Sequence, residues 1–220
     1  MRKLIIGALA VGSMASVPIL LEEQLIRRAT SALERVLDAP TPAIPQTVLE
    51  RTRAIVVVPR INAIGSPGDR RSTMTGVLSA RGATLEHWSP PAIVELRGAI
   101  APRFEIDHLD VIVIAQTGRG LNALMTDGEW LPGTVAIAPG PMNDGEAIDG
   151  DLLAYVRLEN YFASVAINDW TIESAKDANA ALYGKTYSTE AIVRGQGFFH
   201  LRPAARGWRE MLAALFRRTS

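Results

Sequence analysis

Three histidines, an acidic loop and one glycine pair are the residues of this chain whose types could support chemistry. His87, His108 and His200 stand apart from one another. None has a metal-type partner at i+4, and none adjoins an obvious nucleophile. The loop Asn143-Asp144-Gly145-Glu146-Ala147-Ile148-Asp149-Gly150-Asp151 is rich in oxygen ligands. A calcium loop needs a closing Glu at fixed spacing, which this loop lacks, so it reads as solvated, with a weak cation site as the alternative. Gly118-Arg119-Gly120 follows a strand and opens a helix, where a phosphate cradle would sit. The third glycine of a dinucleotide fingerprint and the Lys-Ser/Thr of a P-loop are missing, so a tight turn explains it better. There is no G-x-S-x-G elbow. The absence of cysteine removes thiolate nucleophiles, thiolate metal sites, disulfides and a lipidated cysteine. No catalytic constellation, cofactor or metal is expected, and an unrecognised hydrolase or metal-dependent enzyme is the remotest reading.

Adhesion is the chemistry that the residues do suggest. Trp208, Met211, Leu212, Leu215 and Phe216 recur at the spacing of one helical stripe. Arg206 and Arg217 oppose it, and Arg209 and Arg218 flank it, where long side chains can snorkel. Such a segment suits a membrane surface or a docking partner. Packing on the protein's own core accounts for the stripe equally well. Arg60, Arg70 and Arg71 are further candidate lipid contacts. The charges balance at 23 basic and 23 acidic residues, but unevenly. Residues 105–169 are acidic, and five arginines crowd the last 19 residues. No basic stripe interleaved with aromatics crosses the body, which argues against nucleic acid.

The elements that must position these residues are legible in outline. Arg2 and Lys3 precede an apolar run to Gly12, then small residues at Ser13-Met14-Ala15. This predicts a signal peptide over residues 1–15, with an uncleaved anchor as the alternative. An amphipathic helix is expected over 19–38, with Leu21, Leu25, Ala29, Ala32, Leu33 and Val36 on one stripe. Pro45 starts a short helix through Arg51. Ala54–Val58 is too apolar to alternate, so it predicts a strand buried on both faces. Strands are expected at 75–80, 92–96, 99–106, 110–116, 134–138, 152–158 and 162–168. Short helices are expected near 121–125, 174–183 and 188–194, the last two capped by Ser174 and Ser188. The pattern predicts an α+β fold: a single domain, mainly an antiparallel sheet of short strands with flanking helices. It spans residues 39–195, followed by a basic amphipathic tail over 196–220.

An ordered series of short signatures ties these elements together. It runs from the strand ending in Pro59 through Gly76-Val77-Leu78, His87-Trp88-Ser89-Pro90-Pro91-Ala92 and Ala138-Pro139-Gly140-Pro141 to Tyr155 and Asn179-Ala180-Ala181-Leu182-Tyr183-Gly184. In order and spacing this resembles the SYLF domain, also called the Ysc84 actin-binding domain, from about Leu25 to Gly195. The resemblance implies lipid binding, especially to anionic phospholipids and phosphoinositides, without catalysis. Two stretches depart from the family pattern: Arg60 to Gly68, and Val156-Arg157-Leu158-Glu159-Asn160, which lacks the basic hairpin after the tyrosine. Both weaken the case for a phosphoinositide head-group site, and actin binding is not carried over. The expectation is a lipid- or membrane-surface-binding protein of the bacterial envelope, periplasmic or secreted. A periplasmic protein-binding scaffold is the alternative.

Overall fold

A computed structural model describes residues 16–37, 44–62, 72–82, 87–98, 107–129, 131, 135–137, 150–158, 161–163, 170–197 and 199–217. The chain is α+β. It contains helices α1 (Ser16–Leu37) and α2 (Gln46–Arg51), then strands β1 (Ala54–Asn62), β2 (Ser72–Ala80), β3 (Ala92–Gly98) and β4 (Asp107–Ala115). Next come α3 (Gly118–Met125), β5 (Val135–Ile137), β6 (Leu152–Leu158), β7 (Tyr161–Ala163) and β8 (Thr171–Ser174). Helices α4 (Lys176–Tyr183), α5 (Thr189–Val193) and α6 (Pro203–Arg217) follow.

One eight-stranded sheet runs β5-β6-β4-β1-β2-β3-β8, with β7 also paired to β6. All its pairings are antiparallel except β5 with β6. The outer edge of β6 is shared: Leu152–Ala154 pair with β5 and Val156–Leu158 with β7. β1 lies at the centre, between β2 and β4. The two-residue pleat sends Ala54, Val56 and Val58 to one face and Ile55 and Val57 to the other, all buried. Each face has its own apolar cluster. The first gathers Val56, Leu78, Val94 and Val113 with Leu124 of α3 and Ile192 of α5. The second gathers Ile55, Val77, Ile93, Ile112 and Leu153 with α1, α4 and α6. Burial on both faces explains why β1 reads as an unbroken apolar run.

Helix α1 packs through Ile26, Ala29, Ala32, Leu33 and Val36. The expected stripe is therefore rotated at its leading end, where Leu21 is 60% exposed and Leu25 only half-buried. The small side chains of Ala29 and Ala32 favour close helix–sheet approach, which centres the contact there. A 2.8 Å ion pair from Arg35 to Asp110 of β4 pins the far end.

Helix α4 is not capped by Ser174. That residue closes β8 opposite Val94, and Ala175 occupies the cap position without a side-chain bond. Gly184 ends α4 in the left-handed conformation, as a C-terminal glycine should. Ser188 does cap α5, accepting from the Ala191 amide at 3.1 Å. Thr117 caps α3, and its hydroxyl also bonds Asp151, the one residue of the acidic loop besides Gly150 within the described set. The strand expected over 99–106 lies outside the described residues, as does most of the one expected over 162–168. Strand β8 has no counterpart in the sequence-based reading. Three of the four residues in its Thr-Ile-Glu-Ser sequence are polar, and its outer edge is closed by the segment after α3. Gly128 and Leu131 donate to the carbonyls of Ile172 and Trp170, and the Ser174 amide donates to Asp127 Oδ1.

Candidate binding site

The apolar stripe of α6 faces inward. Trp208, Leu212 and Phe216 are buried at 0, 0 and 2% exposure, and Leu215 is half-buried. The Trp208 indole donates to Ser79 Oγ at 2.9 Å, and Ser79 donates to the Ser89 carbonyl. Phe216 stacks against Trp88 at 4.7 Å. Arg209 donates to the Trp88 carbonyl at 2.8 Å. These contacts correct the expectation that Trp208, Leu212 and Phe216 touch a bilayer. The exposed second face of the sheet needs a cover, and α6 with α1 supplies it. Arg209 acts there as a clamp on the Trp88 turn.

Arg206 stays exposed on the outer side of α6. The side chains of Arg60 and Arg217 lie outside the described residues, as do Arg70, Arg71 and Arg218. Of the predicted lipid contacts, the described side chains are those of Arg206, Trp208, Arg209, Leu212, Leu215 and Phe216, all on α6.

What the structure assembles is an outer helix layer. The outward positions of α1 carry Arg27, Arg28, Glu34 and Arg35, and those of α6 carry Arg206 and Glu210. Arg202 and Arg209 are partly exposed beside them. Glu23 is committed to Arg27 at 3.2 Å and reaches Arg202 at 3.9 Å. Leu21 is the one large apolar residue among the described residues that stands exposed, at the leading end of α1. Arginine in α1 was legible in the sequence, but its alignment with α6 depends on both helices crossing the same sheet face.

A second charged surface lies along β3 and β8. Glu95, Arg97, Asp127, Glu173, Lys176 and Asp177 line an open groove of about 700 Å³. Arg97 bridges Glu95 and Glu173 at 3.1 and 3.2 Å, and Lys176 reaches Asp127 at 4.0 Å. Much of its charge is thus satisfied internally. Among the described residues no group of His, Asp and Glu side chains could hold a metal ion. No helix among them is long and apolar enough to cross a membrane. His87 and His200 are exposed, and the His108 side chain lies outside the described residues.

The signature residues at Trp88–Pro91 and at Asn179 and Tyr183 serve the fold, while Ala138–Pro141 lie outside the described residues. Asn179 is fully buried, and its amide exchanges two hydrogen bonds of 2.8 Å with the backbone of Ile93. It extends the β3 ladder one step beyond the last pairing with β8. The Tyr183 hydroxyl donates to the Pro91 carbonyl. Trp88, Pro90 and Pro91 are buried at the entry into β3. Burial pushes the Tyr183 phenol well above its ordinary range, with Arg209 pulling weakly back, and desolvation raises Tyr155 likewise.

Residues 103–215, from the approach to β4 through α6, match the sequence profile of Ysc84, described as Las17-binding protein actin regulator. The chain belongs to the Ysc84 family. The matched part of this Ysc84 domain includes α6, which fits the helix's place on the sheet. No curated protein and no solved structure matches the chain significantly.

Proposed function

We propose that this protein is a non-catalytic binding module that adheres to anionic phospholipid surfaces through the outer layer of α1 and α6. One observation carries the reading: the two helices spend their apolar stripes on the sheet and turn arginines outward on one side of the molecule. Arg27, Arg28, Arg35, Arg202, Arg206 and Arg209 stand there against Glu22, Glu23, Glu34, Glu210 and Asp110, the partner of Arg35, a surplus of 6 − 5 = +1. Each cation near an anionic leaflet contributes about 1 kcal/mol, so exposed arginines such as Arg28 and Arg206 support weak, reversible contact. Leu21 offers an apolar toe for shallow insertion. The bacterial envelope, reached through export directed by residues 1–15, is the compartment that suits this reading.

The description of the family names a protein partner and an actin role. That favours a second reading, in which the same helix face docks a protein; actin itself is not carried over to this chain. Flotation with phosphatidylglycerol vesicles tests the first reading. Binding should fall as salt screens the charges. The double variant R28E/R206E should lose most of it, because neither arginine serves the core. Absence of flotation at low salt rejects lipid adhesion. Wild-type flotation by the double variant moves the contact to another face. Capture of a partner independent of lipid, lost in the same variant, supports the docking reading instead.

A further inference from the structure

Glu23 lies low in the outer layer of α1 and α6, its side chain only 13% exposed. Two guanidinium groups converge on it from different parts of the chain. Arg27, one turn further along α1, donates from Nη2 to Oε2 at 3.2 Å. Arg202, just ahead of α6, brings Nη1 to 3.9 Å from Oε1. Each carboxylate oxygen thus faces one cation. The arginines themselves are open to water, at 67 and 38% side-chain exposure. The acid is covered by the groups it holds, and those groups lie on the face assigned to lipid.

Two neighbours on α1 provide the contrast. Arg28 and Glu34 are exposed on the same outer side, and neither enters an ion pair among the described residues. The arginine face therefore holds two kinds of cation: free ones, such as Arg28 and Arg206, and a pair bent back onto Glu23.

A guanidinium fork accepts a carboxylate or a phosphate as its partner. The Glu23 carboxylate and a lipid phosphate therefore compete for the same donors. Ion pairs with a solvated cation are weak, so this contact can exchange. A leaflet dense in phosphates favours the exchange, and a sparse one does not. While the arginines stay bent back, the face presents fewer cations than its composition suggests.

We propose that Glu23 is a latch on this face, holding Arg27 and Arg202 against the protein until the phosphates of an anionic leaflet draw them off. The latch rests on the helix-face reading and says how that face is restrained. Arg28 and Arg206 make the initial contact, and Arg27 and Arg202 join once the local phosphate density is high. Binding by the wild type should accordingly rise more steeply with the anionic fraction of the leaflet than binding by a latch-free variant.

Flotation of the full chain with phosphatidylglycerol vesicles, diluted stepwise with phosphatidylcholine, tests this. Glu23→Gln should bind roughly three- to ten-fold more tightly at low salt, the effect of about one charge at an anionic surface. The gain should fade as salt rises. Glu34→Gln makes the same charge change without releasing an arginine, and should gain less. Arg27→Gln should cost the wild type less than Arg28→Gln does, yet remove most of the gain in the Glu23→Gln background, the coupling expected of a pair in contact. Glutamine keeps the shape of Glu23 and can still accept from Arg27, so thermal melts should coincide. Glu23→Gln binding no tighter than Glu34→Gln, or Arg27→Gln costing the wild type as much as Arg28→Gln, overturns the latch and leaves adhesion standing. No flotation by the wild type or by Glu23→Gln rejects both.

Discussion

Asn179 sits where the ladder between β3 and β8 runs out, and its amide stands in for a strand. Asn179→Ala would leave the amide of Ile93 without its partner and take one bond from the carbonyl, which keeps the Ala175 amide. We expect a loss of about 2–4 kcal/mol, since a buried unsatisfied backbone group costs about 1–3 kcal/mol and the truncation leaves a void. Urea unfolding measures it, and a loss under half a kcal/mol would reject the role (roughly the scatter for surface substitutions). Gly98→Ala should also be damaging, because the added Cβ would fall inside the Trp170 indole. The two buried tyrosines give a pH signature. Their folded pKa values are raised above the ordinary 10.0. The unfolded chain therefore releases these protons first as pH rises. The stability they contribute is complete below the unfolded pKa and is lost at higher pH. Urea midpoints should hold steady to about pH 9 and fall beyond about pH 10. Tyr155→Phe should reduce that fall. It should cost little at neutral pH, because the hydroxyl has no partner among the described residues. A midpoint that stays flat through the alkaline range would contradict both assignments.

Periodicity located the elements better than it located their partners. The unbroken apolar run of β1 foretold burial on both faces, and the stripe of α6 foretold an amphipathic helix. What the stripe faces could not be read from α6 alone, because the same residues suit lipid, a partner or the protein's own sheet. Ser79, Trp88 and Ser89, more than a hundred residues upstream, decide it by pairing with Trp208, Phe216 and Arg209. Strand β8 was missed because its role is defined by hydrogen bonds to Gly128, Leu131 and Asp127, not by apolar alternation. For α6, Trp208→Ala should cost about 3–5 kcal/mol, the range for a buried tryptophan, and it also removes the indole N–H that donates to Ser79 Oγ. A chain ending at residue 202 should expose the second sheet face and bind a hydrophobic dye. Such a truncation would lower vesicle specificity by unfolding, so charge reversal on the outer face is the cleaner probe. A soluble, cooperatively folding truncation would show that α6 is dispensable.

Across the whole molecule, α1 and α6 are tied to each other and to the sheet. Arg35 and Asp110 link α1 to β4, with Asp110 at 7% side-chain exposure and Arg35 at 42%. Asp110→Ala should cost about 1–3 kcal/mol, since it strips a nearly buried acceptor from a guanidinium that water can partly reclaim. Arg35→Ala should cost more than Asp110→Ala, because it takes this cation away from a nearly buried carboxylate. Comparing the two by thermal unfolding separates a packing role from an electrostatic one; equal wild-type stability in both would dismiss the pair. The closure of the second sheet face by α1 and α6 also sets the order in which the protein can mature. Trp88 and Ser79 leave the ribosome long before Phe216 and Trp208 do, and through that interval the part of the sheet that α6 covers has only α1 beside it. A pause in translation before α6 would hold a sticky nascent chain in the open, where a holding chaperone or an export channel, not the protein itself, must keep it from clumping.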